Sequence, residues 1–296
     1  MTELDQEKPS TRLAEEFMQA RPRLVGAAYR IVGTVADAED VVQDAWLRWS
    51  TVDRDEVRDP VAYLLTVTTR LALNRLRQQR NRREDYIGPW LPEPSDDMDV
   101  EASVELSESV SMAMMVVLET LTPLERATFV LHDVFGLTYA EVATAIDRSD
   151  AAARQLGHRA RAHVAARRPR RVVDRVRHRQ VTDQFVAAAA TGDVSALLGL
   201  LAPDVVLVTD GGGLRQAALR PVHGSDNVSR FIAGVVQKGM DDSVTVDVLR
   251  VNGESAIVVA RGEELDTVCF LTVEESGITA LHLVRNPHKL TAVRNR

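Results

Sequence analysis

The chain has 296 residues, 45% apolar and 27% charged, a balance that excludes a disordered chain and allows two or three domains of roughly 100 to 200 residues each. One cysteine, Cys269, excludes an internal disulfide framework and a cysteine-based metal cage; no metal or other cofactor is expected. The net charge of -7 argues against a nucleic-acid binder until its distribution is read. Five arginines and no acid run from Arg75 to Arg83, and eleven arginines face only Asp150 and Asp174 from Arg148 to Arg179. Residues 91–120 between them hold eight acids and no base, a segregation of the kind that nucleic-acid binding leaves. The N-terminus MTELDQEKPS lacks a signal sequence, and nowhere do ~18 apolar residues run together, so a cytoplasmic chain with no membrane partner is expected.

Residues 12–86 are patterned as helix almost throughout. In ADAEDVVQDAWLRW, Asp37 is the expected cap and Val41, Val42, Ala45 and Trp46 share one face, leaving Asp40, Gln43, Asp44 and Arg48 outside it. After the loop STVDRDEVRD a second helix starts with Asp59 as N-cap and Pro60 at the first helical position, where its missing N–H costs nothing. Its end carries Asn74, Arg75, Arg77 and Arg80. A solvated face competes with nucleic-acid contact there, and Trp46, Trp49 and Tyr63 fit either stacking on opened bases or a core.

Residues 87–109 read as linker on acid and serine content, yet they hold Trp90-Leu91-Pro92-Glu93-Pro94. An indole, a leucine and two stiffening prolines add nothing to a flexible spacer, so docking is expected. Helix resumes near Val110. Two capping boxes follow, Thr122 with Glu125 and Thr138 with Glu141. The second opens YAEVATAI, which a short break separates from a helix capped by Ser149; together they match a helix-turn-helix. On the second helix Arg154, His158 and Arg161 share one face with Gln155 and Arg159 beside it, and Ala152, Leu156, Ala160 and Val164 form the packing stripe. Arg and Gln suit base edges in the major groove.

From about residue 180 a helical stretch gives way to β-rich runs, DVVLVTD, SVTVDVLRV, SAIVVARG, TVCFLTV and ITALHLV, and a mixed α+β domain is expected. Cys269, in TVCFLTV, reads as an inert core thiol. Asp210-Gly211-Gly212-Gly213 ends a strand with three residues free to take positive φ and let another backbone approach, a tight turn being the plainer alternative.

The order DAEDVVQDAWLRW, DPVAYLLTVTTRLALNRLRQQR, then LTPLERATFVLHDVFGLTYAEVATAI with a basic helix resembles regions 2 and 4 of bacterial RNA polymerase sigma factors of the extracytoplasmic-function group. WLPEP, DGGG and NPHKL at 286–290 (Asn286, Pro287, His288, Lys289, Leu290) resemble the subgroup with a fused SnoaL-like domain. The resemblance implies a multidomain chain: all-α region 2 at 12–86, linker at 87–109, region 4 helix-turn-helix at 110–170, and a ketosteroid-isomerase-like α+β cone at 178–290. It further implies that Asp40, Gln43, Asp44 and Arg48 dock on the clamp helices of core RNA polymerase. Asn74, Arg75, Arg77 and Arg80 would serve the -10 element, and the helix from Ser149 the -35 element. The three motifs would act between domains, and the fused domain would restrain or tune the factor in cis in place of a separate anti-sigma factor.

Two departures from the subgroup stand out. Leu214, followed by Arg215, replaces a basic residue after DGGG, and His288 replaces an acid. Asp210, His223, Asp247 and His282 are candidates to meet in a cone pocket, for catalysis or for a small-molecule ligand, although no enzyme is expected. The alternative function is a one-component helix-turn-helix regulator with a ligand-sensing α+β domain.

Overall fold

A computed structural model describes residues 9–96, 111–169, 173–239, 241 and 243–293, without the side chains of residues 9, 10 and 80–84. The acids from Asp97 to Glu108 and the side chain of Arg80 therefore lie outside the described residues. The chain divides into two compact units, residues 1–81 with 117–167, and residues 82–116 with 168–296.

The helical unit opens with α1 (Pro9–Val32), which ends where Gly33 takes φ +82°, and α2 (Val35–Trp49). The cap of α2 differs from the expected one. Val35 and Ala36 extend the helix upstream, so Thr34 is the cap position and Asp37 lies in the first turn, accepting the Thr34 hydroxyl at 2.6 Å. Trp49 is core, fully buried, with its indole N–H donated to the Leu13 carbonyl at 2.8 Å. Helix α3 (Pro60–Glu84) starts as expected, Asp59 accepting the N–H of Ala62 at 3.1 Å.

The rest of this unit comprises α5 (Pro123–Phe129), a π-turn at Val130–Val134, α6 (Tyr139–Ile146) and α7 (Asp150–Arg167), preceded by α4 (Met112–Glu119), which starts in the other unit. Both capping boxes form, with each threonine accepting the N3 backbone N–H and each glutamate reaching back. Asp147, at φ +55°, ends α6 in the left-handed conformation that turns the chain into α7. Buried Arg126 donates to the Ile31 carbonyl at 2.8 Å and pairs with Glu119, while Arg70 donates to the Thr144 carbonyl at 2.6 Å. Arginines thus join the α1–α3 and α5–α7 parts of this unit through otherwise open backbone acceptors.

The second unit is a six-stranded sheet in the order β2-β1-β6-β5-β4-β3, with β1 and β6 parallel and every other pair antiparallel. The strands are β1 (Leu201–Asp210), β2 (Val222–His223), β3 (Val244–Val251), β4 (Glu254–Arg261), β5 (Glu264–Glu274) and β6 (Gly277–Val284). Alternation along each strand divides the apolar side chains between two faces. Val205, Leu207, Ile257, Cys269, Leu271 and Leu281 pack under α8 (Arg175–Thr191), α9 (Val194–Leu200) and α10 (Ser225–Gly239). Ala256, Val258, Val268, Phe270 and Val284 pack on the opposite face, where Leu91 from the segment expected as linker, Met112 from the start of α4, and Leu290 and Val293 from the C-terminal end cover them. The helix α10 gave no signal that had been read from the sequence, and α8 starts at Arg175, ahead of the expected boundary. Cys269 is buried, and burial pushes its thiol up to about 12, as an inert core thiol requires.

Candidate functional site

In the helical unit, α2 buries Ala38, Val41, Val42, Ala45 and Trp49 and leaves Asp40, Gln43, Asp44 and Arg48 exposed. Helix α3 crosses to this exposed side. Arg75 forms ion pairs with Asp37 and, at 3.1 Å, with Asp40, and buried Gln79 donates to Asp37. A residue expected on DNA and one expected on polymerase are therefore partners of each other. Arg77 donates to the Asn74 side chain at 2.8 Å, both exposed. Beneath the loop between α2 and α3 lies an open cleft of about 650 Å³, lined by Thr51, Asp53, Val57, Arg58 and Tyr63 among others. Trp46 is half-buried against Phe17, ring centroids 5.0 Å apart, and Trp49 lies 5.7 Å from the Tyr63 ring.

On α7 the packing stripe is Ala153, Leu156, Gly157, Ala160 and Val164; Ala152, expected in it, is half-buried at its edge. A spacing of three, one, three and four keeps Ala153 on the inner face, whereas Ala152 lies one residue, about 100°, away. Gly157 is required by packing, since a Cβ there would meet the Tyr139 hydroxyl at 2.5 Å. Arg154, Gln155, His158, Arg159 and Arg161 are all exposed. Three of them are held at their guanidinium groups: Arg154 to Asp150 at 2.7 Å, Arg159 to Glu125 at 2.9 Å, and Arg161 to the Tyr139 hydroxyl at 2.8 Å. Such exposed pairs are worth a few tenths of a kcal/mol, about 0.2–1, so they orient the guanidinium groups while leaving them easily recruited.

In the second unit, residues 91–95 are buried and Leu91 is 1% exposed. The three motifs meet there. Asp210, at the end of β1 and fully buried, accepts the Leu91 N–H at 2.9 Å, the Lys289 ammonium at 2.7 Å and the Tyr86 hydroxyl. Lys289, 4% exposed, also donates to the Leu91 carbonyl at 2.6 Å and lies 3.1 Å from the centroid of the Trp90 ring. The Tyr86 ring meets that of Trp90 edge-on at 4.7 Å, and its hydroxyl accepts from Asn286 at 2.8 Å. Burial and the Asp210 carboxylate raise the Tyr86 hydroxyl above its ordinary range, so it stays a donor. Tyr86 carries no local signal in the sequence: it closes the stretch 12–86 expected as helix, one residue before the expected linker.

The sequence around these groups aims them. Asn286 caps the 3-10 turn Pro287–Lys289 by accepting the N–H of His288 at 3.0 Å, which turns Lys289 inward, Leu290 into the core and His288 to solvent. Gly212 and Gly213 take φ +57° and +73°, and Gly211 does not, so two of the three glycines use that freedom. Gly211 and Gly212 are needed for space, and Gly213 is close to a side chain that can move. A Cβ would strike Arg215 O from Gly211, Asn286 from Gly212 and Ile87 from Gly213. The motif is therefore both a tight turn, its Gly211 carbonyl accepting from Leu214 N–H at 2.9 Å, and a close approach of other chain segments. Leu214 is exposed, and Arg215 pairs with Glu264.

The four cone residues proposed to share a pocket do not meet. His223 and Asp247 are exposed on β2 and β3, the opposite edges of the sheet, and Asp210 is occupied by Lys289. His282 is buried opposite Phe270 on β5, and burial lowers its imidazole to about 4. Among the described residues no group of three or more His, Cys, Asp or Glu side chains is placed to hold a metal ion, and no helix is long and apolar enough to cross a membrane.

Comparison with known families and structures gives three successive matches: Sigma-70 region 2 over residues 17–82, Sigma-70 region 4 over 111–164, and a SnoaL-like domain over 182–280. The chain is 43% identical over 289 residues to the ECF RNA polymerase sigma factor SigJ of Mycobacterium tuberculosis, covering 93% of this chain and 92% of that one. It is 33% identical over 279 residues to the probable ECF RNA polymerase sigma factor SigI of the same organism, covering 93% of each. A crystal structure of M. tuberculosis SigJ superimposes with a TM-score of 0.76 at 40% identity, covering 94% of this chain and 98% of that one.

Proposed function

The chain belongs to the ECF RNA polymerase sigma factors, and on that premise we propose that it directs core polymerase to specific promoters while its SnoaL-like cone tunes that activity in cis. The exposed face Asp40, Gln43, Asp44 and Arg48 docks on the clamp helices. Asn74, Arg75, Arg77 and Arg80 serve the -10 element, and the cleft beside Tyr63 receives a base extruded from it. Arg154, Gln155, His158, Arg159 and Arg161 read the -35 element, the Arg and Gln side chains on base edges and the rest on phosphates. The ion pairs of Arg75 with Asp37 and Asp40 then exchange for phosphate and polymerase contacts on assembly. A one-component regulator would have no use for region 2.

The observation that supports tuning in cis is the Lys289–Asp210 pair, buried and closed over Leu91 and Trp90. A segment between the two promoter-reading regions is held as part of the cone's core, so the cone limits where region 4 can go. No separate anti-sigma factor is needed for that restraint. The fused domain acts by binding rather than by catalysis, and a small-molecule ligand of the cone would act by shifting how residues 86–95 are held on it. Run-off transcription with full-length protein, a truncation after about residue 180, and Trp90→Ala with Leu91→Ala tests the reading. Altered output from both variants is expected; output equal to full length from both would defeat regulation while leaving the sigma activity standing.

A further inference from the structure

The turn between β3 and β4 is Val251-Asn252-Gly253-Glu254, with Asn252 at φ +52° and Gly253 at φ +72°, the two left-handed residues that a two-residue hairpin requires. Its polar groups face the interdomain chain. The Asn252 N–H donates to the Ser95 carbonyl at 3.0 Å, and the Asn252 side-chain oxygen accepts the Ser95 N–H at 2.9 Å. Both residues are at most 1% exposed. Two residues on, the Glu254 carboxyl accepts the N–H of Met112 at 2.7 Å. Met112 is the first residue of α4 and is fully buried, so its N–H is one of the helix-start donors that have no intrahelical partner. Ser111 supplies the ordinary cap, accepting the N–H of Met114 at 3.3 Å. Ser95 and Met112 stand on either side of residues 97–110, and one four-residue turn holds both.

We propose that the 251–254 hairpin is a second clamp on the interdomain segment, separate from the Lys289–Asp210 latch, and that Glu254 is the positioning residue that fixes where the first helix of region 4 begins. The region 4 match starts at residue 111, one residue before the N–H that Glu254 takes. Helix α4 has eight residues, and isolated helices shorter than about 12–15 residues are marginal in water, so a cap lent by the cone decides whether its first turn forms. Burial pushes the Glu254 carboxyl up to about 8, partly offset by the Met112 N–H, so near neutrality it accepts that bond largely as the uncharged acid. The clamp goes beyond tuning in cis: it concerns the start of region 4 whether or not the cone alters transcription.

Hydrogen exchange followed by mass spectrometry on the full chain reads the clamp directly. Glu254→Ala should speed exchange across residues 112–116 by about five- to thirtyfold, which is what losing about 1–2 kcal/mol of helix capping produces. Glu254→Gln keeps an uncharged acceptor and should stay within about threefold of the parent, and residues 268–273 in the sheet should not change in either variant. Parent-like exchange at 112–116 in Glu254→Ala, or the same acceleration in Glu254→Gln, would overturn the assignment. If Glu254→Ala does not fold, Asn252→Gly carries the test, since it keeps the left-handed backbone and removes the Ser95 acceptor. Faster exchange across residues 91–96 is then expected, and unchanged exchange there refutes the clamp.

Discussion

Helix α7 and the strap from Tyr86 to Ser95 both carry large side chains, and they are built on opposite terms. On α7, five long polar side chains stand in solvent, and the three arginines among them make guanidinium ion pairs, 45–65% exposed in the case of Arg154 and Asp150. In the strap, the same kinds of group are fully engaged: one carboxylate takes three donors, and one ammonium finds a carboxylate, a carbonyl and an aromatic face. A surface meant for a partner from outside leaves its chemistry available. A surface whose partner is already in the chain uses it up, and desolvation then makes each contact costly to lose.

That contrast can be broken or sharpened by substitution, starting with the buried pair. Lys289→Ala leaves Asp210 charged and fully buried, and should cost the cone unit about 3–5 kcal/mol in urea unfolding. A loss under about 1 kcal/mol would mean that the strap is no more committed than the exposed face of α7. Leu91→Ala should cost about 2–5 kcal/mol. Its neighbour Ile87, 57% exposed, should tolerate alanine to within about 0.5 kcal/mol.

Acid provides a third probe. The free-chain imidazole of His282 takes up a proton near 6.5, whereas the buried one resists until about 4. The cone unit therefore keeps this contribution above pH 6.5 and loses it as pH falls towards 4, where the loss reaches about 3 kcal/mol. Thermal unfolding of the parent and His282→Leu across that window should show the parent losing more. The smallest change in stability is expected from Arg154→Ala, within about 0.5 kcal/mol, yet its affinity for a cognate -35 duplex should fall about 5- to 150-fold, the 1–3 kcal/mol of a base contact. A large change in stability with unchanged binding would reverse the assignment of that face.

Local chemistry was readable wherever it decided structure by itself. The boxes at Thr122 and Thr138 needed only residues three apart, Pro60 needed only its neighbour Asp59, and the stiffness of Trp90-Leu91-Pro92 contradicted a free spacer. What escaped depends on distant partners. Asn252-Gly253 is a plain hairpin signal, but nothing near it points to Ser95, 157 residues away. Asp37 looked like a helix cap, because its real work, holding Arg75 and Gln79, is set by how α3 packs on α2. Asp40 and Arg75 read as belonging to two separate surfaces for the same reason. The cone pocket was misjudged because strand composition says which residues alternate, and edge position, which removed His223 and Asp247, follows only from strand order.

The ammonium seated on Trp90 makes the strap visible to light. The chain has three tryptophans, and Trp46 and Trp49 belong to the helical unit, so Trp90 is the only indole in the cone unit. A cation 3.1 Å from its ring centroid and a tyrosine edge at 4.7 Å shift and quench emission in ways that water would not. With Trp46 and Trp49 replaced by phenylalanine, the spectrum of this one residue would separate seated from released straps in solution, without an attached dye, as promoter DNA is added.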